Sequence, residues 1–150
     1  MSIRAAQPRD LAAVIAAMQD FYTLEKLPWD AARQETLLQN LLQTPEAGRL
    51  LIAEQNAQLA GYAVIGFCFS LEFSGRFALL DELYVLPDFQ GQGLSKALMQ
   101  AAEQLAQENQ CKAIRLEVSD DNPKARDIYL RAGYKMQPRR LMSLWLEPLQ

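Results

Sequence analysis

Histidine is absent from this chain, which removes the commonest general base near neutral pH and the commonest transition-metal ligand. Any acid–base chemistry must use carboxylates, tyrosine, cysteine, lysine or water, and no metal site is expected. Cysteine is scarce: Cys68 lies inside an apolar run and Cys111 stands alone, with no C-x-x-C spacing. Both are read as buried or idle thiols rather than a disulfide. No run of about eighteen apolar residues occurs, so no membrane span is expected. Nor is there an excess of positive charge. Fifteen Lys and Arg stand against eighteen Asp and Glu, a net charge of −3, which gives no electrostatic footprint for nucleic acid or anionic lipid. Internal repeats, low-complexity segments and long linkers are missing too.

What remains is a chain of 150 residues, half of them apolar, enough to bury one ordinary core, so residues 1–150 are read as a single domain. Met1-Ser2-Ile3-Arg4 runs straight into patterned sequence rather than a signal peptide, which predicts a cytoplasmic protein.

Ile3 to Ala6 reads as a short strand. Leu11, Val14, Ile15, Met18, Phe21 and Tyr22 then recur at helical spacing from about Pro8 onward. Asp30 is a candidate N-cap for a second helix carrying Leu37, Leu38, Leu41 and Leu42. From Arg49 the period changes to that of strands, with Leu50 to Glu54 and Leu59 to Phe69 forming a hairpin across Gln55-Asn56-Ala57-Gln58. Phe77 to Leu86 is the next strand, and Leu94, Ala97, Leu98, Ala101 and Leu105 mark the apolar stripe of a helix. Ala113 to Val118 reads as a strand parallel to the one before that helix. Asn122 caps a helix starting at Pro123 and ending at Gly133. Tyr134 to Met136 and Leu141 to Leu146 read as two closing strands.

The most informative stretch lies between Leu80 and Met99, where a strand breaks off at Pro87 and a helix begins near Leu94. Gly91 and Gly93 let the backbone turn tightly there, and the unpaired amides and positive dipole of the helix start form an anion site. It is neither a P-loop nor a dinucleotide fingerprint, because Lys96 follows Ser95 rather than a glycine and also stands where the latter needs Gly or Ala.

In three places, and in order, the chain resembles the GNAT superfamily of acetyl-CoA-dependent N-acetyltransferases. These are the run Asp81-Glu82-Leu83-Tyr84-Val85 with its following Pro87; the turn Gln90-Gly91-Gln92-Gly93-Leu94-Ser95; and Asn122 to Tyr134, similar to N-x-x-A-x-x-x-Y-x-x-x-G-F/Y. Ser95 departs from the family's usual Gly or Ala. The resemblance implies an α/β (α+β) fold with a mixed, mostly antiparallel sheet of about seven strands flanked by about four helices.

For function it implies transfer of an acetyl group from acetyl-CoA to a primary amine through a direct ternary complex. The pyrophosphate would rest on the turn formed by Gln90, Gly91, Gln92, Gly93, Leu94, Ser95 and Lys96, and the pantetheine arm along Leu83, Tyr84 and Val85. Asn122 would bond the pantetheine or cap its helix. Tyr129 matches the tyrosine that protonates the departing thiolate, and the base would be Glu82 or Glu117, with Asp81 as the alternative if the strand register shifts by one. Glu72, Asp81 and Glu82 would together favour a cationic acceptor. Trp145 and the last strand fit equally a homodimer contact and the monomer's own sheet. Two other readings stay open: an acyl-CoA-binding sensor or regulatory module without turnover, and an acetyltransferase acting on protein N-termini or lysines.

Overall fold

The computed structural model describes residues 1–148. Its strands are β1 (Ser2–Ala5), β2 (Gly48–Gln55), β3 (Gln58–Ser70), β4 (Gly75–Val85) and β5 (Ile114–Arg115), and its helices α1 (Leu11–Leu24), α2 (Ala31–Gln43), α3 (Leu94–Glu108) and α4 (Pro123–Arg131). The strands lie in sequence order in one sheet. All neighbours are antiparallel except β4 and β5, which run parallel across the α3 crossover.

Local chemistry explains the element ends. The Asp30 carboxylate accepts the Arg33 amide at 3.1 Å and starts α2, and Asn122 Oδ1 accepts the Ala125 amide at 3.1 Å and starts α4. Gly133, at φ +100°, ends α4, with the Tyr134 amide donating back to the Tyr129 carbonyl at 3.0 Å.

The sheet separates two apolar layers. On one face α1 and α2 cover Leu50, Ile52, Tyr62 and Tyr84; on the other α3 covers Leu51, Ala63, Ile65, Leu80 and Val85. Leu98 of α3 is fully buried. Replacing it by alanine is expected to lower unfolding free energy by about 3 kcal/mol, as lost transfer energy and a residual cavity add; urea denaturation measures it.

One irregularity positions the site. Val64 pairs with Glu82 and Ile65 with Leu80, so Asp81 is an extra residue, a bulge in β4. It reverses the side-chain alternation. Leu80 therefore faces α3, whereas Glu82 and Tyr84 face α1.

The sheet has five strands, not about seven. β5 pairs with β4 only opposite Ala78 and Leu79, just before the bulge. Residues 116–118 have no partner on β4, whose register breaks at the bulge just beyond, and the expected strand from Ala113 to Val118 shortens to two residues. Tyr134 to Met136 and Leu141 to Leu146 form no strand either. Leu141, Met142, Leu144, Trp145 and Leu146 are exposed; an alternating apolar pattern makes a strand only where a neighbouring edge takes up its backbone bonds.

Candidate active site

The glycine turn takes the expected shape. After a single 3-10 turn at Pro87–Phe89 the chain passes through Gly91 at φ +76° and Gly93 at φ +82°. A side chain rarely adopts either conformation. The first α3 amide to find a carbonyl is that of Ala97, which donates to Gly93 at 3.1 Å, so the amides of Leu94, Ser95 and Lys96 sit ahead of the helix ladder. No heavy atom lies within 4 Å of where a Cβ on Gly91 or Gly93 would stand, so the space over the amides is open. Leu94 is buried and anchors the helix start, while Gln92 accepts a bond from Gln55 at 2.7 Å. Gln90 ties the turn to the end of β4, its Nε2 donating to the Val85 carbonyl at 3.1 Å.

β4 supplies an open edge. The Leu86 amide donates to the Ala60 carbonyl of β3 at 2.9 Å. By the alternation of an antiparallel ladder, Tyr84 and Glu82 also turn their backbone groups to β3, leaving those of Leu83 and Val85 facing outward. Tyr84 corrects the reading that grouped it with them: its ring is buried against α1 and its backbone faces β3.

Glu82 faces α1 on the same side as Tyr84, among aromatic rings. The Tyr22 hydroxyl donates to Oε2 at 2.7 Å and the Tyr62 hydroxyl to Oε1 at 2.9 Å. Tyr22 meets Trp29 edge-on at 5.3 Å, and Phe21 packs against Tyr62 and Tyr84 at 6.5 and 5.6 Å. Burial pushes the Glu82 carboxyl above its ordinary value; the two phenols pull it back, and the charge of Asp81 adds to the rise. Burial and the same carboxylate raise Tyr22 and Tyr62, so both stay protonated donors. Asp81 keeps an edge on solvent, yet its crowded bulge position, and then the charge of Glu117, raise it as well.

Glu117 is exposed and lies across the gap, in a cleft of about 990 Å³ that also presents Leu116, Val118, Tyr129 and Tyr134. Tyr129 packs on Tyr134 at 5.9 Å, and burial followed by the charge of Glu25 raises its hydroxyl. It shares no hydrogen bond with Glu82 among the described residues. The Tyr134 hydroxyl is buried in the same cleft without a partner. Asn122 spends Oδ1 on its cap. Glu72 does not join the acids at Glu82: it sits on the β3–β4 turn, in an ion pair with Arg139 at 2.6 Å.

The sequence reading missed Tyr22 and Tyr62 as partners of Glu82. Helical spacing assigned Tyr22 to packing, and nothing local marks a hydroxyl whose acceptor lies sixty residues away.

A sequence model of the acetyltransferase (GNAT) family matches residues 15–134. The chain belongs to the GNAT family. The uncharacterized N-acetyltransferase YhfO of Bacillus subtilis is 30% identical over 135 residues, 90% of each chain. The thialysine N-ε-acetyltransferase of Sus scrofa is 33% identical over 79 residues, which are 53% of this chain and 46% of that protein. Among solved structures, the aminoglycoside N-acetyltransferase AAC(6')-Iy in complex with CoA superposes with a TM-score of 0.83 at 16% identity, covering 97% of this chain and 94% of that one. In this GNAT acetyltransferase the glycine turn, the open β4 edge and the bulge lie in one continuous stretch from Leu80 to Lys96.

Proposed function

We propose that this GNAT acetyltransferase uses acetyl-CoA to acetylate a cationic primary amine by direct attack, with Glu82 as base and Tyr129 as acid. The observation that carries this reading is Glu82 itself, a carboxylate held by two phenols one residue from the open edge at Leu83.

The amides of Leu94, Ser95 and Lys96, with Gln92 and Gly93 before them, receive the pyrophosphate; their fixed dipoles meet its charge without reorganising. The pantetheine arm adds to the outward-facing backbone of Leu83 and the amide of Val85 as an extra strand would, the Val85 carbonyl being taken by Gln90. An alkylammonium has no free lone pair, so Glu82, directly or through one water, takes a proton before attack. The nitrogen then bonds to the acetyl carbon, an outward β4 amide stabilises the oxyanion, and the carbon–sulfur bond breaks. The leaving thiolate takes its proton from Tyr129, which lines the cleft beside residues 116–118, and the second proton shed by the nitrogen as the amide forms returns to the Tyr129 phenolate through water. A carboxylate beside Tyr22 and Trp29 also suits a cation, through charge and ring faces together. The relative from pig, whose name places the acetyl group on the ε-nitrogen of thialysine, agrees with an amine acceptor.

An amine panel with acetyl-CoA tests the reading, scored by thiol release. Turnover with primary amines is expected; binding of acetyl-CoA with no turnover on any amine or peptide would favour a sensor instead. Tyr129→Phe is expected to lower kcat about a hundredfold while leaving the Kd for acetyl-CoA in place. Unimpaired turnover would remove Tyr129 from the mechanism.

A further inference from the structure

We propose that Tyr22 is a positioning residue for Glu82: its phenol on α1 fixes Oε2 while Tyr62 on β3 fixes Oε1, so the carboxylate meets the acceptor amine in one orientation and in its charged form. This rests on the reading of Glu82 as the base.

The geometry allows few alternatives. Tyr22 and Tyr62 are forty residues apart in sequence, one on a helix and one on a strand, yet their hydroxyls reach the two different oxygens of one carboxylate at 2.7 and 2.9 Å. A carboxylate offers about four lone-pair positions, so two are used and one on each oxygen remains for an ammonium or a bridging water. Tyr62 is completely buried. Tyr22 is only partly buried, in the last turn of α1, and its ring is braced by Phe21 at 5.9 Å and Trp29 at 5.3 Å.

The electrostatics point the same way. The groups acting on Glu82 are Tyr22 from α1, Tyr62 from β3 and Asp81 beside it on β4, with Tyr84 next to Tyr62 and Glu117 facing Asp81. Burial and Asp81 both favour the protonated acid, and only the two phenols favour the carboxylate. Without them the base would be neutral over more of the working pH range, and a neutral carboxyl accepts no proton.

The test needs no knowledge of the acceptor. In protein labelled with carboxyl-¹³C glutamate, the Glu82 resonance is assigned by its loss in Glu82→Gln and titrated in wild type, Tyr22→Phe and Phe21→Leu. Tyr22→Phe removes one oxygen and keeps the ring, and is expected to move the Glu82 titration up by about one pH unit, since a bond to a charged acceptor has been lost. Phe21→Leu loosens the same packing without touching a hydroxyl and is expected to leave the titration where it was. If Tyr22→Phe leaves the titration unmoved, or Phe21→Leu shifts it equally, the proposal falls while Glu82 remains the base. Should Tyr22→Phe not fold, Tyr62→Phe is read the same way, an upward shift supporting the two-phenol clamp and none overturning it. Wild-type turnover in Glu82→Gln would instead overturn the reading of Glu82, and this proposal with it, whatever the titrations gave.

Discussion

Glu82→Gln is expected to lower kcat for amine acetylation by roughly a hundredfold to ten-thousandfold, the span typical of a lost general base. The substitution is nearly isosteric, and a carboxamide still offers the two tyrosines an acceptor and a donor, so the aromatic layer around it keeps its packing. What it cannot do is take a proton. Binding of acetyl-CoA, proposed along the β4 edge and the glycine turn rather than at the Glu82 side chain, is expected to be unchanged. The loss also has a pH signature. Below the raised value of Glu82 the base is neutral, so wild-type kcat/KM rises with pH as the carboxyl ionises. In the variant that rise disappears, and activity recovers only as pH nears the acceptor's own value of about 10, where the free amine is plentiful. Rate–pH profiles of the two proteins measure both effects; a variant equal to wild type at neutral pH would move the base to Glu117 or Asp81.

Gly91→Ala together with Gly93→Ala is expected to weaken acetyl-CoA at least a hundredfold, measured by calorimetry, while ATP stays a poor ligand for both proteins. The reasoning is conformational. Neither position is crowded, so no clash forces the loss. The backbone angles of +76° and +82° are the constraint, costing about 1–2 kcal/mol at each alanine that keeps them. Part of that strain is relieved by relaxing the turn, which swings the amides of Leu94 and Ser95 away from the pyrophosphate they are proposed to hold; each charge-assisted bond lost would remove about 1.5–3 kcal/mol. The fold is expected to remain, because Leu94 and Leu98 anchor α3 in a core the substitutions do not touch. Affinity within a fewfold of wild type would mean the anion is held elsewhere.

Much of the site was legible along the chain because its signals are local. The glycines at 91 and 93, the Asn122 cap and the Gly133 stop each act through backbone angles or bonds a few residues long, and such features survive in a one-dimensional reading. Glu82 was legible as a candidate but not as a choice. Simple alternation puts Leu80, Glu82 and Tyr84 on one face. The bulge at Asp81 breaks that pattern, and no residue type announces it. The closing strands failed for the opposite reason: Leu141 to Leu146 has a strand's apolar content, but strand formation is a property of a pair of edges.

By itself, then, the sequence determined the order of helices and strands as far as α4, the shape of the glycine turn and the absence of histidine chemistry, since each depends on local conformation or on composition. Only the tertiary structure decided which acid is enclosed by phenols, which β4 backbone groups face outward and where the sheet ends. Those depend on Tyr22, Tyr62 and Glu82 meeting across sixty residues of chain, and on a single extra residue in β4, because contact and register are fixed by packing in three dimensions rather than by spacing along the chain.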